Sequence, residues 1–267
     1  MTIAELNQAR DWLRSVISGS RKIFDEASAS DVAIHAKGRQ DFVTTIDHCL
    51  QDYVVGRLSE RFPAHQVLAE EGAKLQALAE VAWIIDPLDG TMNFVNSIPL
   101  YGISIAMLVD GVVEMATVCD FVHGDIFDAV RNGGARLNGR AISCEPDRRP
   151  SDFIAVSTGF LDRLISRSPQ SFETLRQSGK IRVLGSQALQ LCYVASGRLR
   201  ANLSVEAKLW DDVAGALVAS ESGMRYSSPV FDIGKPINII DPDKHLFSVS
   251  AEPELLEQLE DLMSLLY

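Results

Sequence analysis

Apolar residues recur at Leu6, Ala9, Leu13, Val16 and Ile17, directly after Thr2-Ile3-Ala4-Glu5, which has the spacing of a capping box. The pattern predicts an amphipathic helix from the N-terminus to about Gly19. Residues 25–36 are weakly patterned, and Lys37-Gly38-Arg39-Gln40, polar with a glycine, reads as an exposed loop. Ile46, Leu50, Tyr53, Val54, Leu58 and Phe62 share one face of a second helix that stops before Pro63. The period then shortens. Gln66–Gly72 reads as a short strand ending in the paired acids Glu70-Glu71, and Val81–Ile85 as a buried strand. Tyr101–Val109 and Val112–Cys119 flank Asp110-Gly111, a strong hairpin signal. Asp125–Arg131 is a further strand, followed by turns at Asn132-Gly133-Gly134 and Asn138-Gly139.

The stretch Cys144–Asp152 is polar and holds two prolines, and is expected to divide a single domain, residues 1–267, into halves of about 1–145 (α+β) and 146–267 (α/β). Beyond it, strands at 153–156, 181–184, 199–206 and 246–250 alternate with helices at 160–167, 170–178, 187–195 and 211–222. An amphipathic helix, Glu254–Leu266, closes the chain behind Pro253. Such alternation implies helices layered on a mixed or parallel sheet, an α+β or α/β fold.

Composition narrows the function. The chain has 267 residues, 46% of them hydrophobic, enough for a substantial core. No apolar run approaches the roughly 20 residues that span a bilayer. The first residues, MTIAELNQARDWL, read as a polar amphipathic helix rather than a leader peptide. Four scattered cysteines with no CxxC read as free thiols of the cytoplasm. The net charge of −11 argues against a nucleic-acid partner. It would also repel an anionic ligand unless bound cations reverse the local field.

The chemistry centres on WIIDPLDGTMNF, residues 83–94. Asp86 and Asp89 end an apolar strand, where bare charge is costly, and a shared Mg²⁺ would offset that cost. Pro87 stiffens the turn, Gly90 permits close approach, and Thr91 opens a helix whose N–H groups suit an anion. Asp-Pro and Asp-Gly are also ordinary turn signals, and one Asp could simply cap a helix. The Glu70-Glu71 pair is either solvated or partly neutralised by a cation. A second acidic motif, LWDDVAGALVASESG, begins at Leu209.

DPLDGTMNF resembles the first signature of the inositol monophosphatase family of metal-dependent phosphatases. LWDDVAGALVASESG resembles the second, W-D-x-A-A-G with a glycine about a helix later, with Val213 bulkier than the usual alanine. D-V-A-G also fits with Asp212 as the key acid, although the spacing to Gly185 and Gly223 favours Asp211. DFVTTID, residues 41–47, is similar to the family's D-[LF]-V-T-x-x-D. The resemblance covers essentially the whole chain and implies the layered αβαβα sandwich of the inositol monophosphatase and fructose-1,6-bisphosphatase type.

It further implies two or three Mg²⁺ ions. Glu70, Asp86 and the Leu88 carbonyl would hold the first, and Asp86, Asp89 and Asp211 the second, with ions roughly 3.5–4 Å apart. Asp47 and Thr91 would orient the attacking water, the N–H groups of Gly90 and Thr91 would bind phosphate, and Glu70 would share in catalysis. Lys37 corresponds, one residue out of step, to the lysine of a mobile loop. Asp89, Gln187, Ser204, Glu206 and Asp211 would meet the substrate.

The pattern departs where substrate is read. Ser204 stands where inositol phosphatases place a glutamate, Gln187 where alanine is common, and Glu206 shares the strand face of Ser204 or faces solvent. None of the five histidines lies near a motif, and surface or core roles are expected of them. The implied function is hydrolysis of a small polyol or sugar monophosphate by a lithium-sensitive cytoplasmic homodimer. The alternatives are histidinol-phosphate or 3′-phosphoadenosine 5′-phosphate phosphatase, or a protein-binding factor of transcription complexes with the same fold.

Overall fold

Thr2 caps the first helix, accepting from the Glu5 N–H at 3.3 Å while the Glu5 carboxylate accepts from the Thr2 N–H at 2.7 Å. This helix, α1 (Ile3–Ser28), runs on past Gly19, where the sequence pattern ends it. Gly19 is a packing glycine: a Cβ there would lie 1.8 Å from the Tyr53 hydroxyl, and Phe24 continues the buried face. The computed structural model describes residues 1–29, 32–38, 41–143 and 152–266, without the side chains of 36–38, 41 and 42. Lys37 lies on a strand, not in a loop: β1 (Ile34–Gly38) pairs antiparallel with β2 (Asp41–Thr44). The two strands are only five and four residues long, with Ile34 48% exposed and Val43 buried, so they leave a weak sequence pattern. The Lys37 side chain falls outside the described residues.

The first half continues with α2 (Thr45–Arg61), β3 (Gln66–Ala69), β4 (Gln76–Ala77), β5 (Val81–Asp89), α3 (Thr91–Val95) and β6 (Gly102–Val109). Then come β7 (Val112–Asp120), β8 (Ile126–Val130), β9 (Gly134–Leu137) and β10 (Arg140–Ile142). Seven strands form one sheet in the order β10-β9-β8-β7-β6-β5-β3, antiparallel except where β3 pairs parallel with β5. Strand β5 outlasts its apolar run. Asp86 pairs with Ser104 and Asp89 with Gly102, which leaves one extra residue in β5 across Pro87-Leu88. Pro87 has no N–H to give the ladder, and the resulting bulge re-aims both aspartates.

The second half holds β11 (Phe153–Val156), α4 (Thr158–Arg167), α5 (Pro169–Ser178), β12 (Lys180–Arg182), α6 (Gln187–Ala195) and β13 (Ala201–Ser204). It ends with α7 (Leu209–Glu221), β14 (Arg225–Ser227), β15 (Ile239–Ile240), β16 (Ser248–Ala251) and α8 (Pro253–Ser264). Its sheet runs β12-β11-β13-β16-β14, and a small β4–β15 ribbon ties the halves together. The expected divider, Cys144–Asp152, lies outside the described residues except Asp152.

Three cores stack these elements. One packs α1 and α2 on the first sheet, a second packs α6 and α7 between the sheets, and a third packs α4, α5 and α8 on the second sheet. The layers therefore read αβαβα. Among the described residues no helix is long and apolar enough to cross a membrane.

Candidate active site

Helix caps and the β5 bulge set out the acidic residues. Asp86, 2% exposed, accepts from the Leu88 N–H at 3.0 Å. Glu70 follows the parallel neighbour β3, its N–H donating to the Ile85 carbonyl at 3.0 Å. Asp211, in the first turn of α7, accepts from the Lys208 N–H at 2.7 Å. One oxygen each of Glu70, Asp86 and Asp211 lies within 4.8 Å of the others. Burial first, and then the repulsion of Glu70 and neighbouring aspartates, pushes Asp86 and Asp211 well above the usual carboxylate range. Three converging hard oxygens whose negative charge is disfavoured fit a Mg²⁺ ion.

Asp89 sits beside this group but is committed elsewhere. It caps α6, accepting from Ser186 Oγ at 2.5 Å, the Gln187 N–H at 3.1 Å and the Ala188 N–H at 2.8 Å. Burial raises it to about 6, against the pull of those donors. Asp212 points away from the acidic group, into a buried polar network behind α6 and α7. Of the two adjacent acids, only Asp211 joins Glu70 and Asp86.

On the other side, Asp47 is the N3 residue of α2. Its Oδ2 accepts from the Thr44 N–H at 2.8 Å and from Thr44 Oγ1 at 2.5 Å. That capping box leaves Oδ1 facing Thr91, whose hydroxyl lies 3.0 Å away. The same hydroxyl lies 2.8 Å from the Leu88 carbonyl oxygen. Gly90, at φ 94°, lies so close to the next strand that a Cβ would stand 2.9 Å from the Leu100 carbonyl.

The family model described as "Inositol monophosphatase family" matches residues 6–247. The chain belongs to the inositol monophosphatase family. Among its relatives, the "Nus factor SuhB" of Pasteurella multocida is 34% identical over 198 residues, covering 72% of this chain and 74% of that protein. The protein of the same name from Xylella fastidiosa is 36% identical over 191 residues, covering 70% and 69%. A solved Thermotoga maritima IMPase superposes with a TM-score of 0.80 at 24% identity, over 96% of this chain and 97% of that one. An IMPase/NADP phosphatase complexed with Mg²⁺ and phosphate gives 0.81 at 24% identity, over 98% and 95%. The αβαβα layering expected from the sequence is thus the fold of this family.

Where the family reads substrate, the geometry differs from the sequence expectation. Strand β13 ends at Ser204, because its neighbour β11 ends at Val156 and the Val205 N–H turns to Ser157 Oγ. Glu206 is therefore not on the strand face of Ser204. Ser204 is buried, while Glu206 is exposed and its Oε1 accepts from the Gly159 N–H at 2.8 Å. Both nevertheless line one cavity of about 210 Å³, with Asp89, Ser186, Gln187 and Asp211. The Gln187 amide is turned inward, onto Asp212, Asn202 and Gln190.

Asp211 and Glu206 also line a larger cleft of about 820 Å³, which includes Glu70, Lys208, His48 and His245. The two histidines correct the expectation that none lies near the site. His48 directly follows Asp47, a signal present in the sequence. His245 has no such signal: it is held by Nδ1, which donates to the Glu206 carbonyl at 2.7 Å. A separate cavity of about 480 Å³, lined by Leu209, Phe231, Lys235, Ile237 and Leu246 among others, contains no member of the Glu70–Asp86–Asp211 group.

Proposed function

We propose that the protein is a Mg²⁺-dependent phosphomonoesterase acting on a small polyol or sugar monophosphate, with water as acceptor. The observation that carries this reading is the convergence of Glu70, Asp86 and Asp211 beside the Thr91–Asp47 pair. Bound Mg²⁺ would neutralise these carboxylates, draw in the phosphate and acidify water. Glu70, Asp86, Asp211 and the Leu88 carbonyl are the groups that would hold it, with Asp89 available through whatever acceptor capacity the α6 cap leaves.

The chain's own groups do the rest. The Thr91 hydroxyl has one proton and two acceptors within 3.0 Å, so Asp47 Oδ1 keeps capacity to accept from a water O–H. A carboxylate oriented in this way by its helix cap aligns the water and draws off its proton as the bond to phosphorus forms and the bond from phosphorus to the ester oxygen breaks, and the leaving oxygen takes a proton from solvent water. The N–H groups of Gly90 and Thr91 are assigned to the phosphate oxygens. The departing alcohol would occupy the cavity floored by Ser204. Its polar lining, with Ser186, Ser204, Glu206 and Asp211, suits the hydroxyls of a polyol or sugar.

The deciding experiment is a panel of inositol, sugar, histidinol and nucleotide phosphates, assayed with Mg²⁺ and with a chelator. Chelator-sensitive release of phosphate from the compact esters supports the reading, and no release from any member sinks it. Lithium inhibition, a homodimer and a cytoplasmic location belong to the same proposal, and are tested by activity at raised lithium, sedimentation and fractionation.

The name carried by the relatives, Nus factor SuhB, favours a second reading as a protein-binding factor in transcription. That role needs a surface and not the acidic group. A variant without Asp86 separates the two: it would keep such binding and lose turnover.

A further inference from the structure

Gln187 and Asp212 belong to two separate segments of the sequence. The first stands where the family commonly has alanine, and the second fills the open position of W-D-x-A-A-G. In the structure they are one interaction. Gln187 Nε2 donates to Asp212 Oδ1 at 2.6 Å, and both side chains are buried. Ser248 Oγ donates to the same oxygen at 3.3 Å, and the Tyr226 hydroxyl donates to Oδ2. Gln187 Oε1 in turn accepts from Asn202 Nδ2 at 3.1 Å and Gln190 Nε2 at 3.2 Å. The network thus joins α6, α7, β13, β14 and β16 at one point.

One end of this contact leads to the acidic group, and the other to Asp89 beside it. The Gln187 N–H donates to Asp89 Oδ1 at 3.1 Å, and Asp212 is the chain neighbour of Asp211. A continuous path, Asp89–Gln187–Asp212–Asp211, therefore links the end of β5 to the start of α7 through the first turns of two helices. The helices touch closely, since a Cβ at Gly215 would lie 2.7 Å from Leu191 Cβ. Apolar contact of this kind holds helices together but is non-directional. A short hydrogen bond to a buried carboxylate fixes their register as well.

We propose that the Gln187–Asp212 contact sets the spacing between Asp89 and Asp211, making both network residues positioning residues for cation binding. The inference rests on the metal-dependent reading above. Partners that lie behind metal ligands commonly change metal affinity by about 10- to 100-fold when lost.

The test is calorimetric titration of Mg²⁺ into the metal-free protein, with thermal midpoints measured on the same samples. Gln187→Ala and Asp212→Leu should each weaken Mg²⁺ binding about 10-fold or more. The double variant should bind no more weakly than the worse single, because one contact is removed once. Asp212→Asn keeps the volume and an acceptor for Gln187 Nε2, and should recover most of the affinity. Ser250→Ala is the control. It removes a buried hydrogen bond to the Arg225 carbonyl in the same sheet, and should lower the midpoint while leaving Mg²⁺ affinity alone.

Unchanged affinity in Gln187→Ala and Asp212→Leu overturns the proposal. So does an equal loss in Ser250→Ala, or losses that add in the double variant. If Asp212→Leu does not fold, Gln187→Ala against Asp212→Asn decides, by loss in the first and retention in the second. A wild type that binds no Mg²⁺ fails at the level of the metal-dependent reading, and takes this inference with it.

Discussion

Thr91 Oγ1 stands 3.0 Å from Asp47 Oδ1, although 44 residues separate them in the chain. A capping box at the start of α2 fixes the carboxylate, and the bulge that ends β5 presents the hydroxyl. The pair is thus a meeting of two local structures, each encoded within a few residues. If it aligns the attacking water, Thr91→Ala should lower kcat about 10²-fold or more and leave KM within about twofold, because the interaction matters mainly in the transition state. Thr91→Ser keeps the hydroxyl and should recover most of the rate. A Thr91→Ala enzyme with wild-type kcat would remove Thr91 from the chemistry.

Asp86 lies at the centre of the acidic group, and its removal should separate stability from activity. In the metal-free fold its charge is opposed by burial and by Glu70, Asp211 and Asp89. Asp86→Asn should therefore abolish Mg²⁺-dependent turnover while leaving the metal-free thermal midpoint equal to wild type or higher. It should also lose the rise in midpoint that Mg²⁺ gives the wild type. A strongly destabilised metal-free variant would mean that the carboxylate has a structural role.

Specificity is tested at Glu206, whose carboxylate is steadied by the Gly159 N–H. A carboxylate that accepts from substrate hydroxyls or an ammonium discriminates strongly, because a poor substrate leaves it unpaired. Glu206→Ala should raise KM for the preferred ester and flatten the ranking across the panel. Ser204→Glu should move preference toward inositol phosphate. An unaltered ranking in Glu206→Ala would make Glu206 a cap for α4 only.

A pH effect is expected far from the site. Trp83 Nε1 donates to His65 Nδ1 at 3.1 Å, and the imidazole stacks on Phe62 with ring centroids 4.9 Å apart. Burial holds this histidine below its ordinary value. The neutral ring is therefore favoured in the folded state. Its contribution to stability is present above about pH 6.5 and is lost as pH falls through the depressed value. Between about pH 7 and pH 5 the thermal midpoint should fall less in His65→Gln than in wild type, and Trp83 emission should follow the same titration. Parallel slopes in the two proteins would refute this.

Most of the architecture is legible in the sequence where burial is one-sided. The hairpin at Asp110-Gly111, the α2 face ending before Pro63 and the helix–strand alternation after Phe153 all follow from periodicity and turn chemistry. The β1–β2 hairpin leaves no such trace, because its strands are only five and four residues long. Gly19 misleads for the opposite reason: it is retained for contact with Tyr53, inside a helix that α2 supports. In the site, the carboxylates are found through their motifs, whereas His245 reaches the cleft through a loop whose course no local pattern dictates. The inward turn of Gln187 is likewise invisible in the sequence, since it depends on Asp212, Asn202 and Gln190 from distant segments.

The acidic group is assembled from pieces made at different times. Glu70 and Asp86 come from adjacent strands of the first sheet, whereas Asp211 opens a helix that follows most of the second half. A ribosome that has released only the first half presents Glu70, Asp86 and Asp89 without Asp211. Asp211 arrives only after α7 has emerged and docked between the sheets. The complete three-carboxylate group therefore exists only once the interior layer has closed, although the first signature is made long before.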